Sequence, residues 1–510
     1  MATHSVEVER TTTLALQEKG KLIKSLRRFD MVFFTVCAFV GLDTLGTVAS
    51  NGPEGFLWLV VLAIVFVAPY MLLMAEVGSA FTQEGGPYEW TKMAFGRVHG
   101  AVASILYWIT NPLWVGGSLA FVAHDAWSSN VFKIGTASVG DFAFKLIFIW
   151  ISIGVAIISL RYGKQIPNLG AVLRYVVLGF FSLTVVIYGF KHGAAGFQWG
   201  HISPTRAVFF GLVPVLLFNY VGFELQNGAA EEMDNPQRDV PISILRSGIT
   251  GVLMYVIPIF CILLVLPANK VTSIGGFIDA VTLTFHGVYG GAAHALLVLM
   301  TLGFVFALIT SGAVWMIGSD RIQAVAAYDG AFFPFFGVFN RKLGTPVRVN
   351  VMSGIASSIF CITAIELLKH QSTANAFTVV LDIAISTTLL SYLWIFPAAL
   401  KLRYSHPHVH RPYVHPWGMA GIWVSTILTT FWIALGSFEA VFPDVLEKVF
   451  GVGYGFKGSW GVGRGEFELL TLGTLAIIVV FAIVGYWYGA GVRSHTVDIP
   501  LEGDAVTVPA

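Results

Sequence analysis

Two carboxylates in this chain stand inside apolar runs, out of reach of bulk water. Asp43 lies midway along an apolar window over residues 29–50, and Glu224 closes the run Phe218-Asn-Tyr-Val-Gly-Phe-Glu224 in a second window. An ionised side chain at membrane depth costs about 3 kcal/mol or more unless it is paired or wetted, so each is a candidate for chemistry. The chemistry open to a buried carboxylate is capture of an ammonium group or carriage of a proton. The bland alternative is internal hydrogen bonding, to a broken helix for Asp43 and to neighbouring helices for Glu224.

Each carboxylate has glycine beside it, in Val40-Gly-Leu-Asp-Thr-Leu-Gly-Thr47 and in Asn219-Tyr-Val-Gly-Phe-Glu224. Glycine there weakens a helix, and non-helical backbone at this depth survives only when packed in protein or lining a cavity. The amino end of a half-helix offers free N–H groups and a positive dipole end to an anion. Thr44, Leu45, Gly46 and Thr47 are therefore candidate seats for a substrate carboxylate. The carbonyls freed between Phe218 and Val221 can accept from an ammonium. A zwitterion such as an amino acid fits that pair of features.

The elements that must position these residues follow from composition. Of 510 residues 56% are hydrophobic and 12% charged, with mean hydropathy +0.75, against about 25% charged in soluble domains. The chain reads as an all-α, multi-pass membrane protein. A net charge of +1 supplies no field for nucleic acid. Cys37, Cys261 and Cys361 fall in apolar spans and form no paired metal motif. The polar, basic residues 1–28 lack the apolar core of a signal peptide.

Windows of roughly 20 apolar residues predict twelve transmembrane helices. Five lie in 29–190, five in 207–402 and two in 417–489, with polar tails at 1–28 and 490–510; the tail from Arg493 on is expected to be disordered. An even count puts both termini on one side. The distribution of the 30 Lys and Arg, among them Arg27, Arg28, Lys92, Arg97, Arg161, Lys164 and Arg403, makes that side the cytoplasm, as in a cell inner membrane. The breaks near 40–47 and 219–224 open corresponding groups of five spans, the mark of an inverted-repeat transporter with a midplane site. Gly451–Gly465 has neither the preceding strand nor the Lys of a phosphate loop, so it reads as a flexible connection. His406, His408, His410 and His415 lack Cys or Glu partners and read as a surface loop, with no metal site. Tyr107, Asn111, Asp382 and Ser386 read as polar groups gluing helices together.

Four motifs in order carry a resemblance. They are Ala75-Glu76 with Glu84-Gly-Gly-Pro-Tyr-Glu-Trp90, and Gly222-Phe-Glu224 followed by Glu231-Glu-x-x-Asn235-Pro-x-Arg238-x-x-Pro241. Asp320-Arg321 through Asp329-Gly-Ala-Phe-Phe-Pro334 is the third, and Arg411-Pro-Tyr-Val-His-Pro416 the fourth. From about residue 24 to 440 the chain resembles the amino acid–polyamine–organocation (APC) transporter superfamily. Features of both the glutamate/GABA exchanger and the putrescine-importer-like branches are present. The resemblance implies a leucine-transporter-type five-plus-five inverted repeat with two additional carboxyl-terminal helices. It implies aromatic packing on substrate by Phe218 and Trp315, and coupling of occupancy to gating by Glu224. It implies a gate or packing contact for Glu76. It also places Arg174 where proton-coupled members carry a Lys in place of a sodium ion; the bland reading of Arg174 is an arginine snorkelling to the interface. Where family members have Gly-Ser-Gly-Ile, this chain has Thr44-Leu-Gly46-Thr-Val.

The expected function is transport of an amino acid by alternating access, independent of sodium, with proton coupling or substrate exchange. A diamine such as putrescine is the alternative substrate. An amino acid sensor without transport is the alternative class, and would need a signalling domain. No catalytic pair marks an enzyme, and no cofactor is implied. The expected partners are a small amino acid or polyamine, protons and the lipid bilayer.

Overall fold

The computed structural model describes residues 8–22, 24–158, 165–194, 206–369, 372–453 and 455–500. Arg161 and Lys164, used above for orientation, lie outside them, as do the outer parts of both tails. A short strand β1 (Val8–Thr12) and helix α1 (Thr13–Lys19) lead to α2 (Arg28–Phe39) and, after a break, to α3 (Leu45–Ser50). α4 (Gly52–Leu62) passes through a π-helical turn at Ala63–Val67 into α5 (Ala68–Ala80). After α6 (Pro87–Phe95), α7 (Arg97–Trp114) passes through another π turn, Val115–Leu119, into α8 (Ala120–Asn130). Next come α9 (Val139–Ile158), α10 (Gln165–His192) and α11 (Arg206–Asn219). The second break follows, then a 3-10 segment over Leu225–Glu232 and α12 (Pro236–Val265). The remainder is α13 (Gly276–Tyr289), α14 (Ala293–Tyr328), α15 (Val347–Leu368), α16 (Thr373–Ser405), α17 (Gly418–Val441), α18 (Val445–Val449), α19 (Phe456–Trp460), α20 (Arg464–Tyr488), α21 (Ala490–Arg493) and β2 (Thr496–Pro500).

Among the described residues, ten helical stretches are long and apolar enough to cross a membrane. The α2–α3 pair and the α11 segment are not in that count because each is cut part-way. That is why hydropathy windows number twelve where unbroken helices number ten. The windows also missed α13, which runs almost directly into α14.

Burial orders the bundle. The most apolar part of α7–α8 is 94% buried and that of α16 is 83% buried, against 17% for α20. The first two form the centre and α20 lies at the rim, with Leu469 and Ile477 turned outward. Both π turns adjoin a proline within a helix, Pro69 and Pro112. Proline has no N–H to give the helix ladder, and a π turn is one way the chain absorbs that loss.

Two expectations need correction. The segment after Arg493 is ordered as far as Pro500: β2 pairs antiparallel with β1, placing Thr11 opposite Val497. Thr12 Oγ1 also donates to the Tyr328 carbonyl at 2.7 Å, so the tails are held to the α14 terminus. The Gly-rich stretch is not structureless either. Within it α19 packs Trp460 on Phe467 with ring centres 4.6 Å apart, because two large apolar rings outweigh the conformational freedom of the glycines around them.

Candidate substrate site

Each helix break is held by a tyrosine from the helix that follows the other break. At the first, Tyr255 of α12 accepts from Gly41 N (2.8 Å) and donates to the Phe39 carbonyl (2.9 Å). At the second, Tyr70 of α5 accepts from Gly222 N (3.0 Å) and Phe223 N (3.3 Å) and donates to Glu224 Oε2. Both phenols satisfy peptide groups that cannot find helical partners and have no water at this depth. Gly222 itself adopts φ +121°, a region that L side chains rarely enter.

Glu224 is fully buried and held by three phenols. Tyr107 and Tyr392 each donate to Oε1 at 2.6 Å, and Tyr70 donates to Oε2. An ionised carboxylate only accepts, so three converging O–H donors suit it. Asp43 is held from one side only. Trp114 Nε1 (2.7 Å) and Ser118 Oγ both donate to Oδ2, while buried Oδ1 has no partner among the described residues. Both side-chain atoms of buried Asn219, just before the second break, are likewise unpartnered. Unpaired polar atoms in a dry interior are costly, and these three lie at the two breaks.

Trp315 joins the two breaks. Its indole N–H donates to the Ala38 carbonyl at 2.8 Å, and its ring lies over Gly222, where a Cβ would come within 2.8 Å of Cζ2. Trp114 meets Trp315 edge-on at 6.2 Å, and Tyr107 lies 6.0 Å from Trp315. An aromatic chain thus links Asp43 through Trp114, Trp315 and Tyr107 to Glu224. Phe218 packs edge-on against Trp114 at 6.0 Å. The expected pair of aromatics is therefore in contact with this chain, and buried Val221 sits in the break below Phe218.

The first break's second half makes contacts that sequence reading did not foresee. Thr47 Oγ1 donates to the Ser273 carbonyl at 3.2 Å. A Cβ on Gly46 would fall 2.7 Å from the same carbonyl, so glycine there admits the loop between α12 and α13. Thr44 and Leu45 are buried at the start of α3.

Arg174 does not snorkel. It is fully buried and donates to the carbonyls of Val40 (3.1 Å), Gly170 (2.9 Å) and Ala307 (2.6 Å), and to Ser311 Oγ. A planar five-donor fork can tie α2, α10 and α14 together in this way; the reach to the interface is not used. Its Val40 contact lies at the lip of the first break.

Glu76 stands away from this centre, at the end of the bundle that carries the termini. It pairs with Arg403 (2.7 Å) and Arg411 (3.5 Å) and accepts from His415 N at 2.7 Å. The sequence motifs converge at the same end. Arg321 lies between Glu232 (3.3 Å) and Glu84 (3.6 Å), Lys19 pairs with Glu231 at 2.7 Å, and Asp329 takes Arg97 at 2.8 Å and Tyr88 at 2.7 Å. Burial pushes the Glu84 carboxyl well above the usual range; repulsion from Glu232 adds to this and Arg321 opposes it. Glu232 is raised too, again by burial first. Among the described residues no group of His, Cys, Asp or Glu is arranged to hold a metal; His415 instead bonds Ser425 at 3.0 Å.

Sequence reading missed Tyr70, Tyr392, Trp114, Ser118 and Asn219. A signal for two of them was present. Tyr107, Asn111, Trp114 and Ser118 recur at helical spacing on one face of α7 and its π turn, and three of the four hold the buried carboxylates.

A helical membrane bundle in which two cut helices meet at shielded carboxylates is built as a transporter, with irregular backbone confined to an internal site. Residues 26–456 match the amino acid permease family, and the chain belongs to that family. It is 29% identical over 399 residues to the probable agmatine/putrescine antiporter AguD of Lactococcus lactis, covering 78% of this chain and 83% of that one. It is 23% identical to an aspartate-proton symporter of Bacillus subtilis, over 95% of each chain. The fold is also that of a crystal structure of the Eremococcus coleocola manganese transporter, with TM-score 0.55, 12% identity and 94% and 95% of the two chains covered. The protein is a multi-pass membrane transporter of the APC type and not an enzyme.

Proposed function

We propose that this permease carries an amino acid by alternating access, without sodium, coupled to protons or to exchange of a second substrate. The observation that carries the reading is the half-satisfied Asp43, with Oδ1 unpartnered beside a break and an aromatic wall. In this reading an ammonium group completes Asp43 and lies near Trp114 and Trp315, whose ring faces attract cations by about 0.5–2 kcal/mol. The substrate carboxylate meets the N–H groups at Leu45–Thr47, with Thr44 at the lip, and the amine also reaches the carbonyls of Phe218–Val221. The reciprocal tyrosine staples support a twelve-span, five-plus-five inverted repeat, since each relates the same pair of positions in opposite halves. Arg174 places a permanent positive charge at the lip of the first break, which supports independence from sodium. Glu224 is the group proposed to report occupancy, and Glu76 to hold the terminal end shut. That end is assigned to the cytoplasm by its basic residues.

A diamine is the second reading. It is favoured by two buried carboxylates with no cationic partner among the described residues, and by the likeness to the probable agmatine/putrescine antiporter of Lactococcus.

Thermal stabilisation of the purified protein by a panel of amino acids and by putrescine tests the choice. An amino acid that stabilises wild type but not Asp43→Asn supports the first reading. Stabilisation by putrescine alone, lost in both Asp43→Asn and Glu224→Gln, replaces it with the second.

A further inference from the structure

At the end of the bundle away from the termini, a cavity of about 520 Å3 lies between α3, α11 and α16. Its volume is in the range of small-molecule sites. Leu212 and Val215 of α11 form an apolar wall. Thr47, Asn51 and Asn375 contribute polar groups. Thr47, in α3 and four residues beyond Asp43, brings the lining of this cavity next to the first break.

Asp382 is the one charged side chain among the described residues of the lining. It is 4% exposed and its Oδ2 has no hydrogen-bond partner. No described residue forms an ion pair with it. A helix-gluing role would require a bond to a neighbouring helix, and none is present among the described residues. A buried carboxylate without a partner is expensive to keep, and its cost is offset when a cation enters the cavity beside it. The polar side chains of the lining other than Asp382 are amides and hydroxyls, with the Trp460 indole, which can solvate an ammonium without competing for it.

We propose that Asp382 makes this cavity a staging subsite for a primary ammonium group, which is held there before it passes Thr47 to Asp43. The assignment of the physiological occupant rests on the amine-bearing substrate proposed above; the cation preference of the cavity does not. Asp382 then selects what reaches the centre: amines are concentrated at the mouth, and anions without an amine are turned away.

The test uses Ser50→Cys, on the cavity wall, in the full chain reconstituted in liposomes. The three native cysteines are buried, so the new thiol dominates labelling. Membrane-impermeant methanethiosulfonates are applied, one bearing trimethylammonium and one bearing sulfonate, with rates corrected for those on a free thiol. The expected result is a cationic preference of about tenfold, roughly the effect of 1.4 kcal/mol, with putrescine as probe slowing both reagents. Asp382→Asn should bring the preference close to one and remove the protection by putrescine, while Asp382→Glu should keep both. An unchanged preference in Asp382→Asn, or no protection by putrescine in the Asp382 protein, overturns the proposal. Labelling does not require transport, so a failed amino acid assay and a failed vestibule assay are separate results.

Discussion

Replacing Gly222 by alanine is predicted to cost this transporter in two separable ways. The backbone at φ +121° becomes strained once a Cβ is present, at about 1–3 kcal/mol. The new methyl also falls 2.8 Å from Trp315 Cζ2, so the indole must retreat by a few tenths of an ångström or more. Retreat stretches the 2.8 Å bond from Trp315 to the Ala38 carbonyl, and a buried carbonyl left unpaired costs about 1–3 kcal/mol. The sum is about 2–6 kcal/mol against the conformation described here. Trp315→Phe removes the indole N–H and the outer ring but leaves the backbone unstrained, so the two effects can be divided. In the Trp315→Phe background, Gly222→Ala should cost only the strain, giving a coupling of about 1–3 kcal/mol in a double-mutant cycle. The assay is the initial rate of substrate uptake for all four proteins, with detergent thermal stability as a check on folding. Equal penalties for Gly222→Ala in both backgrounds would refute the claim that Trp315 rests on the second break.

The Asp43 pocket makes a graded prediction. Ser118→Ala and Trp114→Phe each remove one donor to Oδ2, worth about 1.5–3 kcal/mol for a charged acceptor. Each should weaken substrate binding about tenfold or more in a competition assay, while Asn111→Ala, whose amide bonds only its own helix, should change it little. Arg174→Lys cannot reproduce the fork to Val40, Gly170 and Ala307 and should destabilise the protein by roughly 2–4 kcal/mol. Wild-type uptake should be the same in sodium and choline buffers. The terminal-end seal should respond to pH. Glu84 and Glu232 have folded values raised by burial first, so their protonated forms favour the closed arrangement. That contribution is fully present below the ordinary carboxyl range and is lost as pH rises through the raised values. A cysteine placed at Gly344, whose carbonyl bonds Arg321, should therefore label faster at alkaline pH after correction for the pH dependence of a free thiol, and Glu84→Gln should flatten the corrected profile.

Much of this design is legible in the sequence because the membrane makes it so. Glycine beside a carboxylate in an apolar run is rare enough to mark both breaks, and hydropathy alone delimits most spans. The partners of the carboxylates are harder to read. Glu224 finds Tyr70 and Tyr392 across 154 and 168 residues, and with 16 Tyr in the chain neither is conspicuous. The π turn at Ala63–Val67 also shifts helical phase just before Tyr70, so a strict 3.6-residue count misplaces it. Arg174 shows the opposite limit. Its position near a helix end permits snorkelling, and only the carbonyls freed at Val40 and the hydroxyls of α14 show that it turns inward. The pairing of the tails was hidden because residues 8–12 are mostly polar and lie at the other end of the chain from 496–500, where the alternation of Val497 and Ile499 is too short to single out.

The most direct test of the account is uptake into proteoliposomes of labelled amino acids and putrescine, with the lumen empty or preloaded, and with or without an inward proton gradient. The expected result is saturable uptake of an amino acid that depends on the proton gradient or on preloading, persists without sodium, and is lost in Asp43→Asn. Sodium-dependent uptake, or uptake unaffected by Asp43→Asn, would contradict it.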